Sequence, residues 1–256
     1  MNILITAGGT SEKIDNVRSI TNHSTGRLGK AIGETFLTQE HTITYVTTPQ
    51  AARPDTEKNI RLIEIETTKE LETTLLKLFK HEQYDSIIHS MAVSDFTTET
   101  TFSEDLFIEK LAAKLSQNRH LTDLSELTEM LYLSLDELGK TVQSEKKIPS
   151  RTDRLLLFLK KNPKIIAMLK EQQPNAILVG FKLLVGVSEE ELIRVGRSIL
   201  NKNHCDFVFA NDLEQIHGAQ HQGYLIDSAG NFERAQTKSD IAQLIVKKVE
   251  EKWRNN

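Results

Sequence analysis

Short, almost wholly apolar runs alternate along the chain with longer stretches whose apolar residues recur at helical spacing. Asn2 to Thr6, Thr42 to Thr47, Arg61 to Ile65, Asp85 to His89, Ala176 to Phe181 and Asp206 to Ala210 read as strands. Between them, Leu28 to Gln39, Lys69 to His81, a segment from Pro163 to about Gln172 and one beginning near Ser188 read as helices. Strands that are apolar throughout and separated by helices belong to a parallel sheet covered on both faces. Near the end, Tyr224 to Asp227 and Phe232 to Gln236 flank Ser228-Ala229-Gly230 as an antiparallel hairpin, and Ser239 is the expected N-cap of a closing helix through Val249. The fold class is therefore α/β: a doubly wound, mostly parallel sheet with an antiparallel edge hairpin. Residues 97–145 break the alternation. Rich in Thr, Ser, Glu and Leu, with helical patches at Leu106 to Leu115 and Leu124 to Leu138, they read as a partly helical insertion within one domain of residues 1–256.

Composition narrows the function classes. With 32 Lys plus Arg against 36 Asp plus Glu the net charge is −4, so nothing draws the whole chain to nucleic acid or to an anionic membrane. The longest apolar runs, such as Asn175 to Leu184, are too short to span a bilayer, and Met1 leads straight into a strand without a basic prefix. Cys205 is the single cysteine, which excludes an intramolecular disulfide and a cysteine-based zinc site and makes a reducing, cytoplasmic compartment the expectation.

In a parallel sheet, ligands collect where strands end and helices begin, because helix N-termini offer unpaired N–H groups to anions. Four segments fall there: Ala7 to Gly29, Ser90 to Phe96, Gly180 to Leu184, and Ala210 to Leu213. The first is a loop of about twenty residues, long for such a connection. It carries Arg18, Asn22, His23, Ser24, Thr25, Gly26 and Arg27, and reads either as a ligand site or as a polar surface loop capping the next helix. Gly8-Gly9-Thr10 allows a tight turn, and Gly26, Gly29 and Gly33 leave one helix face nearly bare, so something must approach it closely.

Stock nucleotide motifs are absent. Gly26-x-x-Gly29 is not a complete G-x-G-x-x-G, and Val46-Thr47-Thr48 lacks the acid that would grip a dinucleotide ribose. Gly139-Lys140-Thr141 mimics a phosphate loop, but Ser134 stands where its first glycine belongs. None of the four tyrosines has Lys four residues later, as a short-chain reductase would require. His217 and His221 have a metal-friendly spacing only on a helix, which Gly218 argues against. Lys146 and Lys147 read as solvated charges or as neutralisers of a triphosphate. Asp95, placed at the end of a buried strand, needs a turn partner or a ligand hydroxyl or amide.

These segments resemble one family, the phosphopantothenoylcysteine synthetases, or phosphopantothenate–cysteine ligases. The resemblance is carried by Ile5-Thr6-Ala7-Gly8-Gly9-Thr10, the stretch from Val17 to Gly26, Ala92-Val93-Ser94-Asp95-Phe96, Lys147-Ile148, Asn162-Pro163, Val179-Gly180-Phe181-Lys182-Leu183 and Ala210-Asn211-Asp212. It implies a Rossmann-like fold and a free-standing bacterial form that hands its product to a separate phosphopantothenoylcysteine decarboxylase. The implied reaction joins L-cysteine to 4′-phosphopantothenate: the carboxylate attacks the α-phosphorus of CTP, and cysteine's amine then displaces CMP from the acyl cytidylate. Mg²⁺ is the implied metal, with no ligand assigned.

Carried over by position, Asn22 is the first catalytic candidate, donating to substrate and acyl cytidylate, and Lys147 closes over the nucleotide phosphates, with Lys146 as its neighbour. Gly8, Ser24, Gly26, Gly29, Asp95, Pro163, Lys164, Ile165, Ile166, Phe181, Lys202 and Asn211 match nucleotide-side positions. Arg18, Met91, Ala92 and Asp95 match the substrate wall, with Arg18 reaching the substrate phosphate of the neighbouring subunit in a homodimer. Three features depart from the family pattern: Met91 where many relatives have alanine, Ser198 in place of a second lysine, and Lys182-Leu183-Leu184 after Gly-Phe. The competing classes are an NAD(P)-dependent reductase and a non-catalytic nucleotide-binding regulator.

Overall fold

A computed structural model describes residues 1–56, 58–118, 120, 123–141, 153–218 and 220–255. In chain order its elements are β1 (Asn2–Ala7), β2 (Ser11–Lys13), β3 (Ser19–Thr21), α1 (Arg27–Thr38), β4 (Thr42–Thr47), β5 (Ile60–Glu64), α2 (Thr68–Phe79), β6 (Ser86–His89), β7 (Phe96–Ser103), α3 (Glu104–Gln117), α4 (Leu124–Thr141), β8 (Leu155–Lys161), α5 (Ile165–Gln172), β9 (Ile177–Leu184), α6 (Glu189–Lys202), β10 (Phe207–His217), β11 (Gln220–Asp227), β12 (Phe232–Thr237) and α7 (Lys238–Arg254). The chain divides into two compact units. One comprises Met1–Thr10, Asn22–Val93 and Pro163–Asn256, and the other Ser11–Thr21 and Ser94–Asn162.

The larger unit is an eight-stranded sheet in the order β12-β11-β10-β9-β6-β1-β4-β5. Its six strands from β10 to β5 run parallel, and β11 and β12 add the antiparallel edge expected from the hairpin pattern. Successive side chains point to opposite faces, so each strand feeds two cores. Leu4, Val46, Ile87, Leu178, Val208 and Ile226 share one with residues of α2, α5 and α6, whereas Ile3, Ile5, Ile43, Ile88, Val179 and Phe209 share the other with α1 and α7. Helices on both faces make the sheet doubly wound, and the strand order reverses between β1 and β6. That reversal is the switch point at which such sheets bind ligands.

Thr237 caps α7, not Ser239. Its side chain accepts from the Asp240 amide while the Asp240 carboxylate accepts from the Thr237 amide, a reciprocal pair that outweighs a lone serine. β10 also runs longer than the expected strand, continuing past Asn211 to His217 after a register irregularity.

The smaller unit contains the two helical patches as α3 and α4, and strands that the pattern did not mark. β7 and β8 pair antiparallel from Phe96↔Lys161 to Ser103↔Leu155, and Phe102, Phe107 and Phe158 cluster at 5.6–6.0 Å between ring centres. β2 and β3 form a second short ribbon from residues expected to be loop. Among the described residues, no helix is long and apolar enough to cross a membrane.

Candidate functional site

In the larger unit, β1 and β6 remain zipped beyond their ends. Ala92 donates its amide to the Gly8 carbonyl at 2.8 Å, Thr10 donates to Ala92 at 3.1 Å, and Gly9 bridges Ala92 in parallel. Asn22 returns over this floor, its amide 3.4 Å from the Thr10 carbonyl. The approach requires Gly9, where a Cβ would lie 2.3 Å from the Asn22 carbonyl oxygen. Among the described residues, the Asn22 carboxamide has no hydrogen-bond partner.

The bare helix face meets β1: a Cβ on Gly29 would sit 2.4 Å from that of Ala7. Gly26 stands one residue outside α1, as its N-cap with φ 71°, a conformation that favours glycine. With that N-cap, α1 begins without a side-chain cap or an acid in its first turn, and α5 begins the same way at Lys164. In contrast, α2, α3, α6 and α7 are capped by Thr67, Ser103, Ser188 and Thr237. The two helices lacking such caps start at the C-terminal edge of the sheet, one on each face beside the switch point. Their first-turn N–H groups and dipoles favour an anion there.

The predicted residues divide by position. Gly8, Asn22, Ser24, Gly26, Gly29 and Ala92 gather around the floor; Pro163, Lys164, Ile165 and Ile166 start α5; Phe181 and Asn211 lie on β9 and β10 toward the same edge. Met91, assigned to the substrate wall, and Ile165, assigned to the nucleotide side, turn inward, 6% and 2% exposed, and their side chains pack in the core shared by α2 and α5. Ile166 packs where a Cβ on Gly180 would meet its Cδ1 at 3.0 Å. Lys202 is not brought here. It is exposed on the last turn of α6, a fourteen-residue helix running from the C-terminal edge of the sheet back to the edge where β10 begins.

Arg18 and Asp95 belong to the smaller unit. Asp15, buried, accepts from the Val17 and Arg18 amides at 2.8 Å each and takes the Arg18 guanidinium at 2.8 and 3.1 Å, fixing its direction. Asp95 is exposed rather than at a buried strand end, which removes the physical reason for assigning it a ligand. Lys146 and Lys147 lie outside the described residues. Among the described residues, no three His, Cys, Asp or Glu side chains group to hold a metal. His217 is exposed and His221 buried on adjoining strands, not on a helix.

Pattern reading missed three supports. Asp212 accepts from the amides of Gly186, Val187 and Glu214 at 2.9–3.0 Å, shaping the loop before α6. His221 meets Asn211 at 3.1 Å. His89, 7% exposed, places Nδ1 2.7 Å from Thr6 Oγ1 beneath the switch point, and burial pushes its pKa down to about 4. The unfolded imidazole takes up its proton near pH 6.5, so the fold is fully stable above that pH and loses stability as pH falls toward 4. The His89 contribution is on the order of 3 kcal/mol. His221, lowered to about 4 by burial and the Lys238 ammonium, acts in the same direction. The melting temperature is expected to fall between pH 6.5 and 4, less steeply in His89→Gln; an unchanged slope would assign the effect to other groups.

Residues 1–128 and 139–252 match the family described as the DNA/pantothenate metabolism flavoprotein C-terminal domain. A crystal structure of the DNA/pantothenate metabolism flavoprotein from Streptococcus pneumoniae is 39% identical, with TM-score 0.78 over 98% of each chain. The coenzyme A biosynthesis bifunctional protein CoaBC of Thermococcus kodakarensis is 30% identical over 250 residues, 97% of this chain and 50% of that protein. This chain spans about half the length of the curated relatives it matches. A Cab2 mutant in complex with phosphopantothenate-cysteine shares the fold, at TM-score 0.68 and 17% identity over 98% of this chain and 87% of that one.

Proposed function

This chain belongs to the DNA/pantothenate metabolism flavoprotein C-terminal domain family, and on that premise we propose that it joins L-cysteine to 4′-phosphopantothenate in coenzyme A biosynthesis at the expense of CTP. The observation that carries the reading is the switch-point floor: main chain exposed by glycine, a carboxamide with no partner among the described residues, and two helix N-termini without side-chain caps.

A carboxylate resists attack by an amine and has no good leaving group. Transfer to the α-phosphorus of CTP solves both: a carboxylate oxygen bonds to that phosphorus, pyrophosphate departs, and an acyl cytidylate forms. Cysteine's amine then attacks the acyl carbon, CMP leaves, and the amine loses a proton. Charge accumulates on phosphate oxygens in both steps, and fixed N–H donors stabilise it without reorganising. The α1 and α5 N-termini would receive phosphates, Asn22 would donate to the carboxylate and acyl oxygen, and Phe181 and Asn211 would border the base and ribose. Lys147 would supply mobile charge over the phosphates. Mg²⁺ would enter as the companion of the triphosphate, since it retains water and phosphate oxygens as ligands; the described residues form no acidic cage for it.

We further assign the protein to the cytoplasm as a homodimer, with Arg18 directed to the substrate phosphate of the neighbouring subunit and a separate decarboxylase receiving the product. The test is a nucleotide panel with phosphopantothenate and cysteine, followed by mass. CMP, pyrophosphate and the amide are expected; AMP in place of CMP would overturn the nucleotide choice, and CTP binding without turnover would favour a regulator. Lys147→Gln is expected to raise the KM for CTP about tenfold through loss of a charged phosphate contact. Wild-type kinetics in that variant would remove Lys147 from the site.

A further inference from the structure

On the sheet face that packs against α1 and α7, Phe209 and Asn211 stand two residues apart on β10, and Gly223 of β11 is the register partner of Asn211. Gly223 leaves space that the Phe209 ring fills, since a Cβ there would lie 2.4 Å from Phe209 Cζ. Phe181, the register partner of Phe209 on β9, has its ring 5.9 Å away. His221 closes the row from β11, with its ring 6.2 Å from Phe209 and 7% of its surface exposed. The row therefore ends in two residues assigned to the nucleotide, Phe181 and Asn211, joined through two that are not.

The bond between His221 and Asn211 has a direction. His221 Nε2 lies 3.1 Å from Asn211 Nδ2, and an amide nitrogen only donates, so Nε2 accepts and the ring proton belongs on Nδ1. Among the described residues that Nδ1 has no hydrogen-bond partner. A buried donor left unmade is a cost that calls for an explanation. The fixed orientation of Asn211, itself 6% exposed, supplies one.

We propose that His221 is a positioning residue for nucleotide binding: by accepting one amide proton of Asn211 it directs the Asn211 Oδ1 and second N–H toward the base and ribose. This role rests on the reading of Asn211 as a nucleotide contact. An unheld amide would present its oxygen and nitrogen in either order, and only one order matches a given ligand. The effect belongs to binding shared by ground and transition states, so it appears in KM and not in kcat.

Two measurements test the role on the full chain. Long-range ¹H–¹⁵N correlation spectra are expected to show His221 as the neutral Nδ1–H tautomer at pH 7; an Nε2–H tautomer reverses the bond and overturns the proposal. In calorimetry and steady-state ligation, His221→Leu is expected to raise Kd and KM for CTP about tenfold, with kcat changed less than about twofold. His221→Gln, whose carboxamide oxygen can replace Nε2 as acceptor, is expected to recover most of the affinity. Asn211→Ala combined with His221→Leu is expected to bind no more weakly than Asn211→Ala alone. Wild-type affinity in His221→Leu, or additive losses in the double variant, would overturn the role. If His221→Leu does not fold, the spectra and the pairing of His221→Gln with Asn211→Ala decide the question by the same criteria. A wild-type chain that binds no CTP would overturn the nucleotide reading together with this role, whereas wild-type binding with no change in the variants overturns the positioning alone.

Discussion

Asn22→Ala is expected to slow ligation of cysteine to 4′-phosphopantothenate by about 100-fold, the usual cost of removing one fixed donor from developing charge. The melting temperature should stay near that of the wild type. The main chain at this position is set by its own amide, by the Thr10 carbonyl and by contact with Gly9, while the side chain has no described partner to lose. The loss should be visible in a single turnover, as slower or less complete accumulation of acyl cytidylate in quenched samples read by mass. Unchanged turnover would take Asn22 out of the chemistry and move attention to the helix N-termini.

The second large effect is expected at Gly9. A methyl group there would meet the Asn22 carbonyl oxygen at 2.3 Å, and that atom is main chain, so it cannot swing aside as a side-chain tip can. Gly9→Ala must displace the Asn22 segment. We expect turnover to fall about 100-fold, because a misplacement of about an ångström is enough to lose that much, and stability to fall by about 1–3 kcal/mol, as in other overpacked sites. The pairing of kinetic and thermal loss separates this variant from Asn22→Ala, in which only the first is expected. Full activity in Gly9→Ala would mean that the close approach over the floor does not shape the site.

The parts of the fold that could be read in advance are those whose residues face the same environment on both sides. Ile3 to Ala7, Ile43 to Val46 and Ile177 to Val179 are buried throughout, so apart from Thr6 and Thr44 their runs are apolar on both faces. β7 and β8 are different: Thr98, Thr100 and Thr101 supply one strand, and Leu157 and Leu159 remain substantially exposed on the other, so neither shows a core-facing alternation. β2 and β3, at three residues each, are too short for any period to register. The cap of α7 was available in the letters, since Thr237 and Asp240 have capping-box spacing, but Ser239 competes for the same turn.

Within the candidate site, the glycines were legible because close approach leaves a compositional mark. Direction was not. Lys202 has a suitable charge, yet α6 delivers it to the wrong edge of the sheet, a fact that depends on helix length and strand sense together. The partnership of His221 with Asn211 depends on the register of β10 with β11, which sets Asn211 opposite Gly223 and so makes His221, two residues from Gly223, its diagonal neighbour on the same face. The buried setting expected of Asp95 is absent for the reverse reason: a polar residue after an apolar run suggests a buried end, but Asp95 is exposed.

The hydrogen bonds between Gly8, Thr10 and Ala92 commit the inner peptide groups of the crevice to one another. A molecule seated above them rests on scaffolding that is already spoken for and must be gripped from its sides and its open end. Changes in the buried side chains beneath, Met91 among them, can therefore leave the crevice surface in place, because that surface is drawn by backbone.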